Sequence, residues 1–116
     1  MESIKISDFS NEAASKTKGV ELRKIIEPLL KNKSTFSVDF KGISRFASPF
    51  FNYSFASLAL IYGFDNIEQI NVINISEIGK LAFDTSMENA KLLSNNPAFE
   101  EKINDIINTN LPKKDV

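Results

Sequence analysis

The sequence predicts a small α/β fold in which about three to four mainly parallel strands carry helices mainly on one face. Alternating segments and helically spaced apolar segments follow one another in the order β-α-β-α-β-α-α, which favours parallel strands joined by crossover helices. The first two strand segments alternate apolar and polar residues, whereas strands covered on both faces are apolar throughout. The 116 residues suit one core. We expect one domain at residues 1–111 and a flexible tail at 112–116.

Three segments have the pattern of strands. Residues 3–7 alternate isoleucine with polar residues, as a half-buried strand does. The clearest strand covers residues 35–40, where two phenylalanines and a valine share one face. The third covers about 69–75 and is rich in isoleucine and valine. Together these segments predict the sheet.

The first helical pattern begins at about Gly19, and Pro28 within it should kink the helix or alter its final turn. The second helix lies in residues 46–64, a run of aromatic and small residues without a charge. A helix from Pro49 to Gly63 is shorter than the roughly 20 apolar residues needed to cross a bilayer. The sequence therefore predicts a buried helix rather than a membrane span.

The last two helices follow the third strand. Ser76 is the predicted N-cap of the first of them, and one helical face contains Ile78, Leu81, Ala82, Thr85, Asn89, Leu92 and Leu93. Asn96 is a predicted N-cap with Pro97 at the first helical position, and Phe99, Ile103, Ile106 and Ile107 form the stripe of the final helix.

Composition narrows the chemistry that this chain can perform. It contains no cysteine and no histidine, so thiolate metal sites, Ser-His and Cys-His arrangements are excluded. The net charge of −1 gives no general footprint for nucleic acid. The isolated glycines form neither a P-loop nor a dinucleotide fingerprint. We expect no cofactor, no metal, no membrane contact, no signal peptide and no enzymatic activity, in a cytoplasmic protein.

The stretches GVELRKIIEPLL, SVDFKGI and SPFFNYSF resemble a STAS-like family of unassigned function, which is related to the STAS domains of anti-sigma-factor antagonists. The resemblance runs from about Gly19 to Ser76. Its motif positions in this chain are Gly19, Arg23, Pro28, Asp39, Phe40, Gly42, Phe50 and Phe55. Asn52 and Tyr53 replace residues that tend to be acidic in the family, and Pro49 replaces a serine, which leaves Ser48 as the nearest hydroxyl.

The resemblance implies a regulatory module that binds a protein, such as a histidine-kinase-type ATPase. In the antagonists a serine at the start of the second helix is phosphorylated, so Ser48 is the candidate phosphoacceptor, although Ser48 as N-cap before Pro49 is the favoured interpretation. A phosphate there would add up to two negative charges to an uncharged patch. The predicted docking residues are Lys41, Arg45, Phe46, Phe50, Phe51 and Asn52.

Two alternatives remain open. Asp39, Arg23 and Ser48 could surround a ligand or catalytic site at the strand ends, where open α/β sheets bind ligands. Against this, an Asp after a strand more often accepts hydrogen bonds from the following turn, and Arg23 suits a surface ion pair equally well. The second alternative is an obligate homo-oligomer joined by the aromatic excess of the uncharged helix. In that case the chain would be an obligate homo-oligomer. Otherwise we expect a monomer or a homodimer.

Overall fold

A three-stranded parallel sheet forms the base of the fold in the computed structural model, which describes residues 2–96 and 100–107. The strands are β1 (Glu2–Lys5), β2 (Phe36–Asp39) and β3 (Asn71–Ile73), and β2 lies in the middle. Val38 pairs with Ile4 on one side and with Val72 on the other. The α/β class and the parallel pairing predicted from the sequence are confirmed.

The helices follow the predicted order, except that a short helix at Phe64–Glu68, which was not predicted, precedes β3. They are α1 (Lys16–Lys31), α2 (Ser48–Phe51), α3 (Ser57–Tyr62), α4 (Phe64–Glu68), α5 (Glu77–Ser94) and α6 (Glu100–Ile107), and a π-helical segment, Asn52–Ala56, joins α2 to α3. We call the continuous helix at residues 48–62 the central helix. The predictions for Pro97, Phe99 and the tail at 112–116 lie outside the described residues.

Side-chain caps fix the starts of α1 and α5. The Ser15 hydroxyl accepts a hydrogen bond from Lys18 N at 3.2 Å, so α1 begins three residues before the predicted start at Gly19. Ser76 accepts from Gly79 N at 3.2 Å, which confirms the predicted cap of α5. Pro28 lies inside α1, which continues to Lys31. The central helix ends at Gly63, whose φ of 100° suits glycine.

The aromatic residues of the central helix form the core. Phe50, Phe51 and Phe55 have no exposed surface. The ring of Phe51 lies 5.2 Å from that of Phe50, 5.6 Å from that of Phe83 and 5.9 Å from that of Phe40, measured between centroids. This mutual packing accounts for the aromatic excess, because the rings fill the space between β2, the central helix and α5.

The sheet has one apolar and one polar side. Phe36, Val38 and Phe40 join the hydrophobic core, together with residues of α1 and the central helix. Ser37 and Asp39 alternate with them, so their side chains point to the other side. The core therefore lies between one side of the sheet and the helices.

The predicted apolar face of α5 is wrong in part. The residues of α5 that lie in the interior are Gly79, Ser86, Met87 and Ala90. Ile78, Leu81 and Leu92 are 69%, 68% and 67% exposed. The reason is steric at the start of α5: a Cβ at Gly79 would lie 2.6 Å from Cε1 of Phe46, so the side of the helix that faces Phe46 has no room for a large side chain at this position. The larger aliphatic side chains consequently point outward.

Within the part of the chain that the structure describes, no helix combines the length and the apolar character needed to cross a membrane.

Candidate functional site

The chain turns sharply after β2 and exposes a short basic segment, residues 41–45. Gly42 has a φ of 86°, which favours glycine, and the amide of Ile43 donates to the carbonyl of Phe40 at 3.0 Å to close the turn. The Ile43 side chain is buried, whereas Lys41 and Arg45 are exposed. The turn therefore presents cationic side chains from a backbone anchored in the core.

Hydrogen bonds to a neighbouring segment hold the end of the turn. Ala13, which is fully buried, donates its amide to the carbonyl of Arg45 at 2.9 Å and accepts from the amide of Ala47 at 3.1 Å. These bonds fix the backbone on both sides of Phe46, whose partly buried ring stacks on that of Phe51 at 6.4 Å. The position of Arg45 is thus preorganised by the fold.

Ser48 is the first helical residue of α2 and not its cap. The N-cap is Ala47, which has no side-chain oxygen to accept a bond, so the prediction of Ser48 as N-cap is wrong by one residue. The extended backbone of Ala47 (ψ 154°) places the helix start there, with Pro49 second. Ser48 is half-buried, and among the described residues its hydroxyl has no hydrogen-bond partner.

The other predicted docking residues differ in exposure. Phe50 and Phe51 are fully buried, so the structure contradicts their assignment to a contact surface: both rings are needed in the core. Asn52 is half-buried, and its Oδ1 accepts from the Ser86 hydroxyl at 2.6 Å. The accessible part of the predicted surface is therefore the turn, the edge of Phe46 and the first turn of the central helix.

Asp39 has a structural role at the carboxyl end of β2. Its Oδ1 accepts from Asn74 Nδ2 and from the amide of Lys41, both at 2.9 Å. These hydrogen bonds, the one from Asn74 above all, lower the pKa of the Asp39 carboxyl. The carboxylate stabilises the turn, as the favoured interpretation predicted. Asn74 was missed in the sequence, although an asparagine directly after a strand suits its observed positive φ of 58°.

Arg23 is buried between α1, α3 and α6 and forms no surface ion pair. Its Nη1 donates to Ser57 Oγ at 2.7 Å and to the carbonyl of Ile106 at 3.4 Å, while its Nε has no hydrogen-bond partner within residues 2–96 and 100–107. Burial lowers the pKa of its guanidinium, and the nearby Glu27 carboxylate acts in the opposite direction. The prediction of Arg23 as a surface ion-pair residue is wrong, because only 5% of its surface is exposed.

The structure does not bring Asp39, Arg23 and Ser48 together. Asp39 bonds to Asn74 and Lys41, and Arg23 bonds to Ser57 and Ile106. None of these contacts joins any two of the three. The alternative of one ligand site built from them therefore has no support in the geometry.

Three of the remaining motif positions, Gly19, Phe40 and Phe55, have packing roles, whereas Pro28 is exposed on α1. Gly19 lets α1 approach the central helix, since a Cβ there would overlap the carbonyl oxygen of Phe50. Phe40 and Phe55 are fully buried. These residues determine how α1, β2 and the central helix fit together, and they leave Pro28, the turn and Ser48 as the accessible part of the motif.

Two surface grooves lie away from this turn. One, of about 770 Å³, lies at the amino ends of β2 and β3 and is bordered by Tyr62, whose hydroxyl donates to Glu27 Oε2 at 2.7 Å. That bond raises the pKa of Tyr62 to about 12. The other, of about 520 Å³, lies between the π segment, α5 and α6. Among the described side chains, no cluster of three or more carboxylates could hold a metal ion.

A family model described as a STAS-like domain of unknown function matches residues 18–80, more than half of the chain. The match extends from the first turn of α1 to the first turn of α5 and includes the whole candidate site. No curated protein and no solved structure matches the chain significantly.

Proposed function

Since the chain belongs to this family of STAS-like domains, we propose that it is a non-enzymatic regulatory module that docks to a cytoplasmic signalling protein. Docking would use the segment from Lys41 to Asn52, without the buried Phe50 and Phe51. The observation that carries this proposal is the exposed basic turn, whose backbone is held on both sides by bonds to Ala13. A preorganised turn loses little entropy when it binds.

The partner should present an acidic patch opposite the turn. Lys41 and Arg45 are exposed cations, and Lys5 lies close enough to Asp39 to add to the positive field at this edge. The partly buried Phe46 ring offers an adjoining apolar contact. Charge complementarity of this kind governs the rate and specificity of association.

Ser48 supplies a means of regulation. The partner would be an ATP-binding kinase of the histidine-kinase type, as the resemblance to anti-sigma-factor antagonists implies. The Ser48 Oγ would attack the γ-phosphorus of ATP, releasing ADP and the hydroxyl proton and leaving phosphoserine. Up to two negative charges beside Arg45 would then neutralise the basic turn and weaken docking. The Ser48 hydroxyl has no hydrogen-bond partner among the described residues, which supports this role. The hydroxyls of Ser15 and Ser76, in contrast, accept hydrogen bonds that cap helices.

The test uses a histidine-kinase-type ATP-binding protein as the partner. Arg45→Glu should weaken binding by roughly tenfold, about 1.4 kcal/mol, whereas Lys24→Glu, an exposed lysine on α1, should not. Incubation with ATP should add one phosphate by intact mass, and Ser48→Ala should abolish it while Ser44→Ala does not. Binding that is insensitive to Arg45, or a phosphate retained in Ser48→Ala, would count against the proposal.

A further inference from the structure

An unexplained apolar stripe lies on the outside of α5. We call Ile78, Leu81, Thr85 and Leu92 the outer face of α5. Its three aliphatic side chains are each about two-thirds exposed. Their spacing of three, four and seven residues places them along one side of the helix. The interior of the fold is filled by the opposite side of α5, so this stripe contributes nothing to the core.

The charges beside the stripe are arranged with an approximate two-fold pattern. Glu77, Lys80, Asp84, Glu88 and Lys91 lie on one flank of the outer face and are all exposed. When α5 is placed antiparallel to a second α5 with the axis near Asp84, Glu77 faces Lys91 and Lys80 faces Glu88. Each contact occurs twice because of the symmetry. The two Asp84 carboxylates come closest to the axis, and each lies 3.8 Å from Lys80 of its own helix, which offsets their repulsion. A surface that complements its own copy under a two-fold rotation is the requirement for an isologous dimer.

The apolar residues fit the same arrangement. With the axis between Asp84 and Thr85, Leu92 of one copy lies next to Ile78 of the other, and the threonines meet near the axis. The result is an apolar cluster on each side of the axis, bordered by the paired charges. We propose that the outer face of α5 is an antiparallel interface between two copies of this chain.

The size of the contact predicts a reversible dimer. An 18-residue helix is about 27 Å long. An antiparallel contact along that length would bury on the order of 1,000 Å² in total, the lower limit of a specific interface. Of the flanking charges, Lys91 already binds Glu68 at 2.9 Å, and Lys80 lies 3.8 Å from Asp84. Lys80 is thus held less closely within its own copy than Lys91 is, and the Lys80–Glu88 contact is the better one to test.

Sedimentation velocity over a wide concentration range tests the association. The wild-type chain should shift from monomer to dimer, and Leu81→Glu should remain monomeric, because a buried carboxylate has no partner there. Ile25→Glu is the matched control, since Ile25 is an exposed aliphatic residue of α1, 39% exposed. A wild-type chain that is monomeric throughout, or a dimer that survives Leu81→Glu, overturns the proposal. The proposal is also overturned if the chain does not self-associate and Leu81→Glu instead abolishes binding to a different protein.

Charge exchange and crosslinking test the antiparallel geometry. Lys80→Glu and Glu88→Lys should each raise the dissociation constant by about tenfold, and the double variant should restore it. The chain contains no cysteine, so Thr85→Cys should give a disulfide-linked dimer on mild oxidation, because the two sulfurs meet at the axis. Lys24→Cys should not. Absence of rescue together with absence of the Thr85→Cys crosslink would overturn the antiparallel arrangement.

Discussion

Replacing Gly19 by alanine should separate two opposing effects of a helical glycine. Gly19 lies in the first turns of α1, where alanine favours the helix by up to about 1 kcal/mol. The added methyl group, however, would overlap the backbone carbonyl of Phe50. Backbone within the central helix cannot move aside without disturbing its buried rings. Steric cost and helix propensity therefore act in opposite directions.

The steric cost should prevail at this position. Inserting a methyl group into packed structure costs about 1–3 kcal/mol when the neighbours cannot yield. The contact is with backbone, so the cost should lie in the upper part of that range, about 2–3 kcal/mol. After subtraction of about 1 kcal/mol of helix propensity, Gly19→Ala should lower the free energy of unfolding by roughly 1–2 kcal/mol. Gly79 is the matched control, because its new Cβ would meet only side chains, those of Phe46 and Ile75. The partly exposed Phe46 ring can turn, so Gly79→Ala should change stability by less than about 1 kcal/mol.

Urea unfolding followed by far-UV circular dichroism measures both variants against the wild type. We expect the midpoint of Gly19→Ala to fall well below that of Gly79→Ala with an unchanged m-value. If Gly19→Ala is as stable as the wild type, or matches Gly79→Ala, then α1 and the central helix do not approach as closely as described, and the explanation for this motif glycine fails.

Three further changes test the core and the buried polar groups. Phe51→Ala should cost about 3–5 kcal/mol in urea unfolding, because its ring is fully buried among other rings; a loss below about 1 kcal/mol would contradict this. Arg23→Met should be within about 1 kcal/mol of the wild type, since Arg23 is buried and, among the residues that the structure describes, its Nε has no hydrogen-bond partner and its guanidinium no close ion pair; strong destabilisation would show that its charge is compensated. Asn74→Gly, which tolerates the positive φ, should raise the pKa of Asp39 towards its ordinary value. Because a lowered carboxyl pKa stabilises the fold above the unfolded-state pKa of about 3.9, this variant should be less stable at neutral pH, and its deficit should shrink on acidification below that value. A deficit independent of pH would refute the role of Asn74.

Much of the fold could be predicted because local patterns agree with the tertiary structure. The alternation in residues 35–40 matches β2, and the uncharged run at 46–64 matches the buried central helix. α5 was misread because its apolar residues occupy two sides of the helix. Periodicity alone cannot tell which side faces the core, and the close approach at Gly79 decides it.

The site was predictable in outline and not in detail. The turn at Lys41 and Gly42 follows from local chemistry, but the exact helix start at Ser48 depends on the backbone of Ala47, which the bonds to Ala13 hold in place. Arg23 meets Ser57, 34 residues away, and no local pattern reports such a pair. Contacts between distant segments thus determined what sequence reasoning missed.

Amide hydrogen exchange on a complex with a histidine-kinase-type ATP-binding protein is the sharpest test of docking through the turn at residues 41–45. We expect binding to slow exchange in peptides covering residues 41–49 and to leave those of α1 and α4 unchanged, and we expect this protection to be lost after phosphorylation of Ser48. Protection confined to other elements, or a complex that forms without any change in this segment, would contradict it.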